Sequence, residues 1–106
     1  MLVTPLDSVT RITTVAGAVR GNHRHDATHQ WTLVISGRLL TAQLADGVLR
    51  QREHGPGDLI SEPAGIPHAW RALADCTVLV FTKGPRSGQG YESDTTRLAV
   101  PLLEAQ

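Results

Sequence analysis

His23 and His25 are separated by one residue in the run His23-Arg24-His25-Asp26-Ala27-Thr28-His29-Gln30. On an extended backbone, side chains alternate between faces, so residues i and i+2 project to the same side. Two neutral imidazoles turned one way form a bidentate grip on a divalent metal ion. A third imidazole is available at His68, which closes the segment Pro63-Ala64-Gly65-Ile66-Pro67-His68. An isolated H-x-H pair is also an ordinary polar pair on a wetted strand, so its surroundings must carry the argument.

The elements that must hold these residues read as strands. Residues 10–18 alternate polar and apolar side chains with many β-branched residues, the pattern of a half-buried strand. Gly21-Asn22 reads as a turn into the histidine pair. The run Gln30-Trp31-Thr32-Leu33-Val34-Ile35-Ser36 is β-rich and stopped by Gly37. Residues 38–44 and 48–53 flank Asp46-Gly47, a two-residue hairpin signal of the primed-turn kind. Gly55-Pro56-Gly57-Asp58 is a further tight turn before Leu59-Ile60, and residues 67–72 and 77–81 complete the series. Short strands at intervals of roughly 8–12 residues, with turn residues between them, predict an all-β sandwich or barrel. Lys83-Gly84-Pro85-Arg86 opens a loop, and residues 95–103 predict one more strand.

At 106 residues the chain predicts one domain, 1–106, with a barrel core at about 10–82 and a C-terminal arm at 83–106. With 10 basic and 10 acidic side chains balancing, charge gives no reason to expect nucleic acid or an anionic membrane as partner. No apolar run approaches the roughly 20 residues needed to cross a bilayer, and the N-terminal residues show no secretory signal pattern. Cys76 is the sole cysteine and reads as a buried small hydrophobe, which fits a reducing cytoplasm.

Taken from Gly17, the residues Gly17, His23, His25, Gln30 and Gly37 spell G-x5-H-x-H-x4-Q-x6-G. Taken from Gly57, the residues Gly57, Pro63, Gly65 and His68 spell G-x5-P-x-G-x2-H. These halves resemble the paired motifs of the cupin family over about residues 17–82. The resemblance implies a small antiparallel β-barrel, or jelly roll, with one divalent metal ion (zinc, nickel, manganese or iron) in its mouth. It also implies His23, His25, Gln30 and His68 as ligands. The family usually carries Glu where Gln30 stands and Asn where Ala72 stands.

Strand parity leaves two registers open. With Gln30 inward, Thr32, Val34 and Ser36 face the interior, while Trp31, Leu33 and Ile35 face out. With His29 inward, His29 replaces Gln30 as ligand and Trp31, Leu33 and Ile35 join the core. The motif spacing favours Gln30. An outward Trp31, Leu33 and Ile35 need a cover, and with the C-terminal arm they predict a homodimer. A site of three imidazoles and a neutral amide leaves the ion's double charge uncompensated, favouring an anionic ligand or a developing enolate.

The histidine and glutamine set is similar to small sugar-processing cupins, including those that open unsaturated uronates. That resemblance places Phe81 and Arg86 at the substrate, and Trp70, two residues past His68, as an apolar wall. The catalytic Asp of those enzymes falls on Leu79 here. The segment Arg20-Gly21-Asn22-His23-Arg24-His25 resembles nucleotide-sugar ketoisomerase cupins. Three histidines on a metal, together with Glu62-Pro63-Ala64-Gly65, also resemble Fe(II) dioxygenases of the cupin type. The expected function is therefore metal-assisted isomerase-like or ring-opening chemistry on a small, anionic, carbohydrate-like molecule. A three-histidine dioxygenase and a non-catalytic sugar-binding or sensing cupin are the alternatives. Arg20 and Arg71 are further candidates for holding a carboxylate; His54, beside a Gly-Pro turn, reads as solvated rather than as a ligand. Tyr91 and Asp94 reach the site only if the arm folds back.

Overall fold

The structure, a computed structural model, describes residues 5–84 and 93–106. Arg86 and Tyr91 lie outside the described residues. The strands are β1 (Ser8–Thr14), β2 (Val19–His25), β3 (His29–Ser36), β4 (Leu39–Ala45), β5 (Val48–His54), β6 (Leu59–Glu62), β7 (His68–Ala72), β8 (Cys76–Lys83) and β9 (Thr95–Arg97). They form two antiparallel sheets with the orders β1-β8-β3-β6 and β5-β4-β7-β2-β9. This is the expected all-β architecture of a jelly roll, with the main core between the sheets.

Alternation decides what enters that core. Along β8 every second residue is buried (Cys76, Val78, Val80, Thr82), and along β3 Gln30, Thr32 and Val34 are buried while their neighbours are not. Val34, Val78 and Val80 meet Leu39, Trp70 and Ala72 from the other sheet. The register with Gln30 inward is the one adopted. Ser36, expected inside, is exposed, because the pairing of β3 with β8 shifts between Val34 and Ser36.

Other expectations met physical corrections. The strand predicted over 10–18 ends at Thr14, and Ala16 N–H donates to Asp75 Oδ1 at 2.8 Å in the bend that follows. Asp46 and Gly47 have φ of +53° and +74°, as the primed hairpin turn requires. Gly21-Asn22 is not a turn. Both residues have positive φ, +87° and +57°, yet they lie inside β2, where the pairing with β7 shifts between Gly21 and His23. It is a β-bulge, and it resets the parity of the strand.

The described part of the C-terminal arm, 93–106, packs on its own chain. Of the predicted strand at 95–103, only Thr95–Arg97 is extended as β9, and it pairs with β2 through His23↔Arg97 and His25↔Thr95. Beyond it, Asn22 Oδ1 accepts from the backbone N–H groups of Leu102 (2.8 Å) and Leu103 (3.2 Å), and Asn22 Nδ2 donates to Leu103 O at 2.9 Å. Leu103 is buried against Ala42 and Ala69, with Val19, Leu40 and Leu102 beside them. The arm thereby covers part of the outer face of the second sheet, over β2, β7 and β4. No helix among the described residues is long and apolar enough to cross a membrane.

Candidate metal centre

The bulge in β2 is what assembles the site. Arg20 pairs with Trp70 and Gly21 with Ala69, but His23, not Asn22, pairs with His68. The extra residue turns Arg20, His23 and His25 all inward, which unbroken alternation would forbid. Asn22 and Arg24 face the other way. Gly21 is required here because a Cβ would press on the His68 carbonyl and on Ala69.

The rings of His23, His25 and His68 converge. Their centroids are 4.5 Å (His23–His25), 4.7 Å (His23–His68) and 5.5 Å (His25–His68) apart. One ring nitrogen from each lies within 4.8 Å of the others. Two of the rings have their far nitrogens engaged. His68 Nδ1 is 3.3 Å from Ile66 O; in the tautomer that donates along this contact, Nε2 faces the cluster as a metal donor. His25 Nδ1 is 3.1 Å from Thr95 Oγ1 and 3.9 Å from Asp94 Oδ2. The donor set fits a mononuclear divalent ion in both chemistry and orientation.

Asp94 is reached because the arm folds back. Its carboxylate accepts from Ala27 N–H (2.7 Å), Thr28 N–H (3.2 Å) and Thr28 Oγ1–H (2.5 Å). Burial pushes its pKa up. The Thr28 hydroxyl, the Ala27 N–H, the nearby His25 and the Thr28 N–H together outweigh burial and hold it below the ordinary value. The loop between β2 and β3 is thus tied to the strand that orients His25.

Beside the cluster is a cavity of about 140 Å³ whose wall includes Arg20, His23, Gln30, Glu62, His68 and Trp70. Trp70 is 5% exposed and forms part of that wall. Gln30 is on it as well. Arg20 is fixed at the rim, its Nε donating to Thr14 Oγ1 at 2.7 Å and its Nη2 to Thr13 O at 3.2 Å. Glu62, which spacing alone did not single out as a site residue, is 4% exposed. Its Oε1 accepts from Thr32 Oγ1 at 2.6 Å, and its Oε2 lies 3.2 Å from His68 Nε2. This places a carboxyl group directly beside the histidine cluster. The signal for it was its parity: Ile60 and Glu62 alternate inward on one short strand.

Two expected site residues lie elsewhere. His29 faces out, its ring stacked on Trp31 with centroids 3.9 Å apart and bonded to Ser61 Oγ at 2.8 Å, so it is not part of the histidine cluster. Phe81 pairs with Val9 and Trp31 on the same outer face; its neighbours Val80 and Thr82 point inward instead. His54 is outside the cluster too, but it is largely buried, with Nε2 3.1 Å from Thr41 Oγ1.

The family model of the cupin domain matches residues 10–82. No curated protein matches the chain. Among solved structures, the chain is similar to the capsular polysaccharide assembling protein CapF from Staphylococcus aureus, at 20% identity and a TM-score of 0.76, covering 87% of this chain and 27% of CapF. It thus spans little more than a quarter of that relative. It is also similar to QdtA, a sugar 3,4-ketoisomerase from Thermoanaerobacterium thermosaccharolyticum in complex with TDP, at 18% identity and a TM-score of 0.76, covering 89% and 68% of the two chains. A third is oxalate decarboxylase from Bacillus subtilis, at 29% identity and a TM-score of 0.70, covering 85% and 23%.

Proposed function

Because this chain belongs to the cupin family, we propose that it binds one divalent metal ion through His23, His25 and His68. A fourth donor comes from the cavity wall, and the site acts on a small, anionic, carbohydrate-like molecule by proton-transfer chemistry. The observation that carries this reading is the convergence of three imidazoles, two of them on the wall of a cavity with a fixed cation, a buried carboxylate and an aromatic side. The similarity to a sugar ketoisomerase, a polysaccharide-assembly protein and an acid decarboxylase supports it.

When bound, a divalent ion acts as a Lewis acid on a carbonyl or hydroxyl oxygen. The chain supplies the rest. Arg20, pinned by Thr14 and Thr13, offers its remaining N–H groups to an anion. Trp70, with Ile12 and Val80, makes the apolar side against which a ring lies. A void of about 140 Å³ is close to one that holds benzene, so it takes a fragment about the size of one six-membered ring.

The test is anaerobic incubation of metal-loaded protein with keto-sugars and uronates in D2O, reading deuterium in the product by mass spectrometry. Incorporation that needs the metal and disappears in His68→Ala is expected. Iron-dependent oxygen uptake would replace this reading with the three-histidine dioxygenase, and binding without turnover would leave a sensing module.

The homodimer belongs to the same proposal. Val9, Ile35 and Leu59 are 56%, 48% and 49% exposed on the outer face that also carries Trp31, Leu33, Leu79 and Phe81. Among the described residues, the arm packs on β2, β4 and β7 of the other sheet and not on this face. Four strands at ~4.8 Å spacing make a platform on which a second copy stacks sheet on sheet at ~10 Å. Light scattering should give twice the 11.4 kDa of the monomer, and Leu33→Glu should return it to the monomer.

A further inference from the structure

We propose that Glu62, and not Gln30, is the fourth ligand and supplies the carboxylate of the metal centre. This rests on the reading that His23, His25 and His68 hold a metal. Gln30 occupies the place in the histidine motif from which a metal-bound side chain is expected. In the antiparallel pairing of β3 with β6, however, its direct cross-strand partner is Glu62. Directly opposed residues on one face have Cβ atoms about 4.5–5.5 Å apart. Both side chains therefore start from neighbouring points and reach the same cavity wall, where both are found. The carboxylate has moved by one strand.

The distance from Glu62 to His68 supports it as ligand, while the donor atoms mutually within 4.8 Å are those of the three histidines. With Nδ1 of His68 directed at Ile66 O, Nε2 is the metal-binding atom, and Glu62 Oε2 lies 3.2 Å from it. Two donors each about 2.0–2.2 Å from an ion, at tetrahedral or octahedral angles, lie roughly 2.8–3.6 Å apart. A nitrogen lone pair and a carboxylate oxygen this close repel unless a cation lies between them. Without metal, a proton on Nε2 can serve; with metal, the ion takes that place.

The rest of Glu62 is arranged as a ligand is. Thr32, two residues along β3 from Gln30 and 1% exposed, donates to Oε1 at 2.6 Å. That fixes the carboxylate, the hydrogen bond that ligating carboxylates commonly make. A carboxylate only 4% exposed is costly to bury without a nearby cation. With Glu62 bound, the ion's double charge falls to a single net positive charge, which Arg20 then supplements at the rim.

The test measures Zn(II) affinity by chelator competition and the visible spectrum of the Co(II) form, after circular dichroism confirms that each variant is folded. Loss of a partner that merely supports a ligand weakens metal affinity about 10–100-fold. Glu62→Gln should exceed that range and alter the Co(II) bands, whereas Gln30→Ala should fall below it. The double variant Glu62→Gln/Gln30→Glu should recover most of the affinity, because a carboxylate returns from the facing strand. If Gln30→Ala costs the larger loss and Glu62→Gln stays within tenfold, the assignment is overturned. Unchanged zinc affinity in His68→Ala would instead defeat the metal reading itself, whatever Glu62 does.

Discussion

β3 and β2 contribute to the same cavity by opposite means. β3 is regular from His29 to Val34: its buried and partly exposed residues alternate, and its inward side chains follow from parity. β2 is interrupted. Gly21 and Asn22 adopt positive φ, the register slips, and Arg20 and His23 share a face though they are three residues apart. A regular strand can only supply side chains at every second position. A bulge lets one strand place a cation, two imidazoles and an outward anchor for the C-terminal arm within six residues. The chemistry is concentrated where the regular pattern fails.

Breaking the bulge should have the largest effect. Gly21→Ala puts a Cβ against the His68 carbonyl on a backbone with φ of +87°. Strain of this kind costs about 1–3 kcal/mol, and the clash adds to it. A loss of about 3 kcal/mol or more in urea denaturation is expected, together with weaker zinc binding because His68 is displaced. A variant as stable as the parent would show that the bulge is incidental.

Asn22→Ala tests the outward side of the same bulge. It removes two hydrogen bonds accepted from, and one donated to, the segment at Leu102-Leu103. The expected cost is about 1–3 kcal/mol, concentrated in the arm. Hydrogen exchange should speed up at residues 98–106 and at β9 before it does in β3 or β8.

On the regular strand, two adjacent apolar residues should behave oppositely. Val34 is 1% exposed and Ile35 is 48% exposed. Val34→Ala should cost about 2 kcal/mol as a buried deletion, and Ile35→Ala at most about 0.5 kcal/mol in the monomer. Equal costs, read from thermal melts at low protein concentration, would mean that the outer face is already covered.

The smallest effect lies away from both strands. Burial lowers the pKa of His54 from 6.5, with Asp58 raising it and Arg52 lowering it. The fold therefore prefers the neutral ring. The stability this provides is whole above pH 6.5 and is lost as pH falls from there through the ring's lower folded value. His54→Gln should lose less Tm than the parent between about pH 8 and about pH 5.

Much of this was legible in the residues themselves. Alternation locates β3 and β8, Asp46-Gly47 fixes its hairpin, and motif spacing brings His23, His25 and His68 together. These are local signals: a turn that only certain residues adopt, and a period of two that only one face can bury. Gly21-Asn22 was legible as a break in the strand, but turn and bulge share the same positive-φ residues, and only pairing with β7 tells them apart. The uniform alternation assumed for residues 34–36 could not reveal a slip in the β3–β8 register, so Ser36 was misplaced. Phe81 and Arg86 were assigned through a resemblance rather than through parity. Phe81 falls on the outer face because Val80 fills the inner one, and Arg86 lies outside the described residues. Residue types and spacing determined the strands and the three histidines. Which residues stand opposite one another, Gln30 against Glu62 and His25 against Thr95, was decided by the tertiary structure alone. Cross-strand partners more than thirty residues apart are chosen by how the sheets close, and no local pattern encodes that choice.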